Sequence, residues 1–141
     1  MKAFFDSSVL VPVFYGDHQH HAASMECFLR FSKKQACCAA HSLAEVYSSL
    51  TRMPGKDRIS GEQAMLFLGE IRERMTIVSL DDEEYFRAIE GASAAGVVGG
   101  TIYDALLAHC ALKAKAEIIY TWNLKHYGQF GSEAVKRVRT P

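Results

Sequence analysis

Short apolar runs alternate with helix-like patterns along the chain, and this alternation is the feature that most constrains its fold. Lys2 to Phe5 forms the first such run, and its composition is typical of a short buried strand that ends at Asp6. Four similar runs predict further strands at 35–40, 75–80, 117–121 and, on an edge of the sheet, 134–138. Strands that alternate with helices predict an α/β fold with a mostly parallel central sheet of four to five strands flanked by helices.

The helices are predicted from apolar residues that recur at intervals of three and four. The predicted segments are 9–15, 19–31, 41–50, 60–71, 81–96 and 101–113. Ser60 lies three residues before Gln63, a spacing that is typical of a helix N-terminus. The segments are short and evenly distributed, and no repeat or Pro/Gly-rich linker divides them. We therefore expect residues 1–141 to form a single domain.

The charge balance narrows the possible functions. The chain has 16 Lys and Arg residues against 16 Asp and Glu residues, so its formal net charge is zero. A protein that coats nucleic acid is usually basic, and this balance argues against strong non-specific RNA binding. It does not exclude a nuclease, because a cluster of carboxylates subtracts charge that a bound metal restores.

The sequence also predicts a cytoplasmic location without membrane contact. No apolar run approaches the roughly 20 residues that a membrane span needs, and Asp6 interrupts the first run too early for a signal peptide. The four cysteines show no C-x-x-C spacing, so we expect them to be reduced and mostly buried. They are Cys27, Cys37, Cys38 and Cys110.

Three acidic residues occupy positions where carboxylates often have purely structural roles. Asp6 follows a strand and precedes a helix, as an N-cap residue does. Glu45 lies three residues after Ser42, and Asp104 lies three residues after Thr101, which fits the capping-box spacing. Taken singly, each acid is explained more readily as a cap than as a catalytic group.

Taken together, the same acids indicate a metal site. Asp6 lies at the end of the first strand, Glu45 one turn into the helix after the second, and Asp104 in the helix that leads into the fourth. Ligand sites of α/β sheets collect at this carboxyl edge. Converging carboxylates repel one another unless a cation neutralises them, and oxygen ligands favour Mg²⁺ or Mn²⁺ over zinc. Such an ion can activate water for attack on a phosphodiester.

Three segments resemble the PIN-domain nucleases, and especially the VapC-type toxins of toxin–antitoxin pairs. These segments are FFDSSVLV, HSLAEVYSSLTR and TIYDALLAHCALKAKAEIIYTWNLKHY, which together span nearly the whole chain. The resemblance implies a single PIN-like domain that cleaves RNA with Mg²⁺ or Mn²⁺ as a homodimer. It also implies an antitoxin protein that holds the enzyme inactive.

Carried over residue by residue, the resemblance makes Asp6, Glu45 and Asp104 both the catalytic residues and the metal ligands. It assigns supporting roles to Ser8, which orients the first Asp, and to Thr121 and Asn123 at the end of the fourth strand. The chain departs from the family in one place. Where relatives often have a fourth acid, this chain has Asn123 and His126. This departure favours either a single metal ion in place of two, or weak activity.

Other interpretations stay open at this stage. Asp6 could be a phosphatase nucleophile, but Ser8 stands where such enzymes have a second Asp. The stronger alternative is a catalytically weak or inactive PIN-like module that acts through protein association, with its carboxylates serving only as caps. We expect His18, His20 and His21 to be solvated. Trp122 or Tyr127 could stack on a base, and Arg52, Lys56, Arg58 and Lys125 could contact the RNA backbone.

Overall fold

A five-stranded sheet forms the centre of the protein in a computed structural model that describes residues 1–141. The strands are β1 (Ala3–Phe5), β2 (Ala36–Ala39), β3 (Thr76–Val78), β4 (Ile118–Tyr120) and β5 (Val138–Arg139). They are arranged in the order β3-β2-β1-β4-β5, and every pair is parallel. The predicted α/β fold with a parallel sheet is therefore confirmed.

Eight helices connect and cover these strands. They are α1 (Ser7–Val13), α2 (His21–Arg30), α3 (Ala40–Thr51), α4 (Gly61–Arg74), α5 (Asp82–Ala94), α6 (Thr101–Lys113), α7 (Leu124–Tyr127) and α8 (Ser132–Val135). A 3-10 turn, Gly55–Asp57, joins α3 to α4. The predicted start of α4 is confirmed, because the Ser60 hydroxyl accepts a hydrogen bond from the Gln63 N–H at 3.1 Å. None of the helices combines the length and apolar character that a membrane crossing requires.

The core has two parts, one on each face of the sheet. Adjacent residues of a strand point to opposite faces, and β1 shows this with its two buried phenylalanines. Phe5 packs with apolar residues of α1 to α4, whereas Phe4 packs with Leu107 and Ala111 of α6. Burial on both faces explains why the strands read as continuous apolar runs.

The predicted strand at 134–138 is wrong over most of its length. Residues Ser132–Val135 form α8 instead, and only Val138 and Arg139 pair with β4. Ala134 is fully buried against the second core cluster, so its apolar character serves helix packing and not a strand face. The helix α7 was not predicted, because four residues are too few to show a helical period.

The strand order places a crevice at the carboxyl ends of β1 and β4. The chain builds outwards from β1 through β2 to β3, and β4 then returns to the other side of β1. Connections that leave adjacent strands in opposite directions open a crevice between them, where α/β proteins bind their ligands. Asp6 follows β1 directly, and Thr121 follows β4.

Candidate active site

A cleft of about 470 Å³ lies at this crevice, within the range of ligand-binding pockets. All three acids predicted from the sequence line it, together with Ser8 and Asn123. The full lining is Asp6, Ser7, Ser8, Val11, Pro12, His18, Gln19, His20, Glu45, Ser49, Asp104, Trp122 and Asn123. Residues that are far apart in the chain therefore meet at one place.

Asp6 is held rigidly at the bottom of this cleft. Asp6 is only 1% exposed, and its side chain caps α1 by accepting a hydrogen bond from the Ser8 N–H at 3.1 Å. The same oxygen, Oδ2, accepts the hydroxyls of Ser8 at 2.5 Å and Thr121 at 3.0 Å. The other oxygen, Oδ1, accepts the Tyr127 hydroxyl at 2.9 Å. The predicted capping role is thus confirmed, but it uses only one of four hydrogen bonds.

The two hydroxyls that bind Asp6 are oriented in turn by the backbone after β4. The Trp122 N–H donates to the Ser8 hydroxyl at 2.9 Å, and the Asn123 N–H donates to the Thr121 hydroxyl at 2.9 Å. Each hydroxyl therefore has its lone pair engaged and its proton directed at the carboxylate. Ser8 and Thr121 both contact Asp6 directly. Asn123 lines the cleft, and its backbone N–H supports Asp6 only indirectly, through Thr121.

Glu45 does not cap a helix, so the capping interpretation of this residue is wrong. The helix α3 begins at Ala40 without a side-chain cap, and Ser42 is fully buried with its hydroxyl unpaired. Glu45 Oε1 accepts instead from the Ser7 hydroxyl at 2.8 Å. Burial raises the pKa of the Glu45 carboxyl, and the nearby charges of Asp6 and Asp104 raise it too, against the opposing hydrogen bond from Ser7.

Asp104 is not a capping residue either. The helix α6 begins after Gly100 without any side-chain cap, so the predicted pairing with Thr101 is wrong. Asp104 Oδ2 accepts a 2.6 Å hydrogen bond from His126 Nδ1. Burial and the charge of Asp6 raise the pKa of the Asp104 carboxyl, and His126 opposes them. His126 thus contacts one of the three acids.

The donor chemistry of this cluster suits a divalent cation. No Lys or Arg side chain lines the cleft, so its wall offers the three acids no permanent positive charge. Each acid also keeps an oxygen with spare capacity: Asp6 Oδ1 accepts only one hydrogen bond, and Glu45 Oε2 and Asp104 Oδ1 accept none from the protein. No three acidic, His or Cys side chains approach closely enough to chelate an ion together. Mg²⁺ retains several waters, so direct contact with all three is not needed.

Of the two aromatic residues that could stack on a base, Tyr127 is excluded and Trp122 is not. Tyr127 cannot stack on a base, because it is only 1% exposed and its hydroxyl donates to Asp6. Burial raises the pKa of this hydroxyl well above its usual value, and the charge of Asp6 adds to the effect. Trp122 is half-buried and lines the cleft. The sequence showed an apolar ring at 127 but could not show that its hydroxyl reaches back to a residue 121 positions earlier.

The three histidines at and just before the start of α2 are also not simply solvated. His18 and His20 are half-buried and line the cleft, and the His20 ring stacks on Trp122 with ring centroids 3.7 Å apart and an interplanar angle of 8°. His21 Nδ1 lies 2.7 Å from the Pro12 carbonyl oxygen. The four candidate RNA-contacting basic residues lie elsewhere: none of Arg52, Lys56, Arg58 and Lys125 lines this cleft.

The fold and this cluster can be compared with known proteins. The family model described as "PIN domain" matches residues 3–127, which contain all three acids and every residue that hydrogen-bonds to them. The chain belongs to the PIN-domain family. The matched part of this PIN domain ends at Tyr127, so α8 and β5 lie beyond it.

Its sequence relatives are VapC ribonucleases. The PIN domain is 31% identical to ribonuclease VapC27 of Mycobacterium tuberculosis over 113 residues, which are 80% of this chain and 79% of the relative. It is 32% identical to ribonuclease VapC40 of the same species over 114 residues, 81% of each chain. Similarity at this level over most of both chains places the protein among the VapC-type members of the family.

Solved structures support the fold of this PIN domain. It resembles the crystal structure of M. tuberculosis VapC20, a toxin that cleaves the sarcin–ricin loop, with a TM-score of 0.73. The match covers 90% of this chain and 94% of the VapC20 chain at 14% sequence identity. It also resembles a chain of VapBC2 from Rickettsia felis, solved with a promoter DNA fragment, with a TM-score of 0.59 and 17% identity over 89% and 90% of the two chains.

Proposed function

We propose that this protein is a divalent-metal-dependent endoribonuclease that hydrolyses RNA phosphodiester bonds, and that it acts as the toxin of a toxin–antitoxin pair. The observation that carries the proposal is the cluster of Asp6, Glu45 and Asp104 in one cleft that no Lys or Arg side chain lines. Glu45 and Asp104 have no capping role that would explain their position. The VapC relatives, which are named ribonucleases, give the cluster its substrate class.

Each acid has a distinct part in the proposed reaction. Asp6, fixed by four hydrogen bonds, and Asp104, fixed by His126, would hold Mg²⁺ or Mn²⁺. Glu45, oriented by Ser7, would add a third negative charge to the site without having to contact the ion directly. When bound, the ion neutralises charge on the phosphate and activates water for attack on phosphorus. A carboxylate of the cluster would accept the proton that the water loses, and the oxygen that leaves phosphorus would take up a proton from solvent as its P–O bond breaks.

Cleavage assays with charge-neutralising variants test this function. Purified protein is incubated with a labelled structured RNA, with and without Mg²⁺ or Mn²⁺, beside Asp104→Asn and Asp6→Asn. We expect metal-dependent cleavage that falls at least about a hundredfold in both variants, because each removes a ligand charge. Asp104→Asn is the cleaner test, since Asp104 caps no helix. Asp82→Asn, on the exposed start of α5, is the matched control and should cleave normally.

Two results would contradict the proposal. Cleavage that needs no metal and survives Asp104→Asn would place the activity elsewhere or in a contaminant. A protein that is folded by circular dichroism, cuts none of several RNAs and shows no Mn²⁺ binding by calorimetry would favour the alternative, an inactive module that acts by association. The His126 contact with Asp104, at the position of a frequent acid, is the observation that keeps this alternative in view.

The partner proposals follow from the same comparisons. A chain of similar fold occurs in the VapBC2 structure, and a cleft of unneutralised acids suits an antitoxin segment that carries a basic side chain. Induced expression in a bacterial host should arrest growth, and Asp104→Asn should relieve the arrest. An arrest that persists in this variant would contradict a toxin that acts through RNA cleavage. We also propose a cytoplasmic location, which the four free, buried cysteines support.

We further propose that the protein is a homodimer. Leu66 on α4 is 72% exposed and Phe86 on α5 is 70% exposed, so each offers a large apolar side chain that a subunit interface could cover. Sedimentation should show a dimer in the unaltered protein and a monomer after Leu66→Glu or Phe86→Glu. Leu29→Glu, on the exposed side of α2, is the control and should stay dimeric. A monomer at all concentrations, or a dimer that both substitutions leave intact, would contradict this proposal.

A further inference from the structure

Some side chains of the cleft have no role in the proposed hydrolysis. They form a wall that consists of His18, Gln19 and His20 before α2, and of Trp122 and Asn123 after β4. Two rings dominate this wall, because His20 lies flat against Trp122 at 3.7 Å with an interplanar angle of 8°. Of the remaining three side chains, Gln19 and Asn123 carry amide donors and acceptors, and His18 carries an imidazole ring.

This aromatic wall is preorganised. The indole N–H of Trp122 donates to the hydroxyl of Ser24 at 3.0 Å, and Ser24 is fully buried. The backbone N–H of Trp122 donates to Ser8, the residue that holds Asp6. On the other side, the His20 backbone N–H donates to His18 Nδ1 at 3.0 Å. The Trp122 ring is therefore held in place beside the acid cluster, and the His20 ring packs against it from a backbone that is itself anchored.

The chemistry of the wall selects one kind of ligand. No Lys or Arg lines the cleft, so this wall offers a phosphate no permanent positive charge. A flat, uncharged ring with polar edges fits this wall. Such a ring can stack on the rings of His20 and Trp122 and hydrogen-bond to the side-chain amides of Gln19 and Asn123. In a nuclease substrate this group is an unpaired nucleobase.

We propose that His20 and Trp122 form a stacking subsite for one unpaired RNA base close to the bond that is cut. This inference rests on the proposed function for the identity of the substrate, but not for the binding itself. Because Ser8 links Trp122 to Asp6, the base belongs to a nucleotide near the scissile phosphate. The subsite would make the enzyme prefer looped or single-stranded RNA, in which a base is free to leave its neighbours.

The first experiment detects the subsite without cleavage. Trp122 is the only tryptophan of the chain, so its indole N–H gives a single resonance in a ¹H–¹⁵N NMR spectrum. The metal-free protein is titrated with adenosine, guanosine, cytidine and uridine, which carry no phosphate. We expect a saturable shift of the indole resonance in the millimolar range that is strongest for purines. His20→Ala should weaken the binding about 5- to 150-fold, the equivalent of 1–3 kcal/mol for one stacked base.

Two further variants separate stacking from folding. His20→Phe keeps a flat ring beside Trp122 and should retain nucleoside binding. His109→Ala removes a half-buried histidine of α6 that lies outside this cleft, and it should bind as the unaltered protein does. Equal weakening in His20→Ala and His109→Ala would overturn the subsite, as would an indole resonance that no nucleoside moves.

The second experiment uses RNA substrates that lack one base. An abasic nucleotide is placed in turn at each of the positions flanking the cleaved bond. At one position the abasic nucleotide should raise KM about 5- to 150-fold with little change in kcat. With that substrate His20→Ala should raise KM no further, because both changes remove the same contact. Fully additive effects at every position would overturn the subsite.

The two proposals fail in different ways. If nucleosides move the indole resonance but no RNA is cut with Mg²⁺ or Mn²⁺, the stacking subsite stands and the nuclease proposal falls. If RNA is cut in a metal-dependent way while nucleosides leave the indole resonance unmoved and His20→Ala leaves KM unchanged, the nuclease proposal stands and the subsite falls.

Discussion

Replacing Tyr127 by Phe removes one hydroxyl and leaves the buried ring in place. That hydroxyl is the only protein group that donates to Asp6 Oδ1, at 2.9 Å, and Tyr127 is 1% exposed. A hydrogen bond to a charged group contributes about 1.5–3 kcal/mol to the free energy of unfolding. We expect a loss of that size, because the substitution leaves a carboxylate oxygen without its donor in a nearly buried site.

The loss can be measured by thermal and urea unfolding of the metal-free protein. For a domain of this size, about 3–5 °C of Tm corresponds to each kcal/mol, so Tyr127→Phe should lower Tm by about 5–15 °C. The urea m-value should stay unchanged, since the surface exposed on unfolding is the same. Tyr120→Phe is the matched control, because Tyr120 is also buried and its hydroxyl lies near Cys27 and Arg30, away from any carboxylate.

The pH dependence gives a second check on the same bond. Burial and the charge of Asp6 raise the pKa of Tyr127 in the folded protein, so its contribution to stability is complete below about pH 10, where the tyrosine of the unfolded chain ionises. Above that pH the unfolded state releases a proton that the folded state keeps. The stability advantage over Tyr127→Phe should therefore shrink by about 1.4 kcal/mol per pH unit above pH 10.

The variant also tests the position of Asp6 as a ligand. Loss of a hydrogen bond that orients a metal-binding carboxylate weakens metal affinity by about 10- to 100-fold, and calorimetry with Mn²⁺ should show this. The reasoning is refuted if Tyr127→Phe costs no more stability than Tyr120→Phe and binds Mn²⁺ as tightly as the unaltered protein.

Three further predictions concern the acids, their support and the thiols. Burial raises the pKa of Glu45, so the stability it contributes is complete below about pH 4 and is lost as pH rises through the folded-state pKa. Glu45→Gln should therefore raise the Tm of the metal-free protein at pH 7 and leave it unchanged at about pH 3.5. Ser8→Ala should weaken Mn²⁺ binding about 10- to 100-fold in calorimetry. Burial raises the pKa of Cys27 and Cys110 to about 11, so a thiol-specific dye at pH 8 should label them only after unfolding.

Each of these has a clear contrary result. A Glu45→Gln variant that is less stable at pH 7 would mean that this carboxylate is stabilised by a partner in the folded protein. Unchanged Mn²⁺ affinity in Ser8→Ala would mean that Thr121 and Tyr127 suffice to orient Asp6. Rapid labelling of the native thiols would mean that the core opens easily around them.

Much of the fold could be predicted from the sequence, because its signals are local. Buried strands such as Ala3–Phe5 and Ala36–Ala39 appear as short apolar runs, and α4 shows both its period and its Ser60 cap. The elements at the C-terminus were less predictable. Four-residue helices show no period, and the pairing of Val138 depends on β4, a long-range neighbour that local propensity does not encode.

The candidate acids were predicted as a group, but the sequence alone could not separate ligand from cap. Spacing alone allowed Glu45 and Asp104 to be capping residues, and only the helix starts at Ala40 and Thr101 excluded this. Asp6, in contrast, caps α1 and also lines the cleft. Local spacing thus determined which acids come near helix starts, whereas the backbone geometry of each start decided what their carboxylates do.

The contacts that complete the cleft were decided by tertiary structure alone. Tyr127 meets Asp6, His126 meets Asp104, and His20 stacks on Trp122, across separations of 121, 22 and 102 positions in the chain. No periodic pattern or motif spacing records such pairs, because they form only when β4 returns beside β1 and α7 folds over the crevice. The sequence determined the strands, the main helices and the acids, and the order of the strands in the sheet determined which side chains surround those acids.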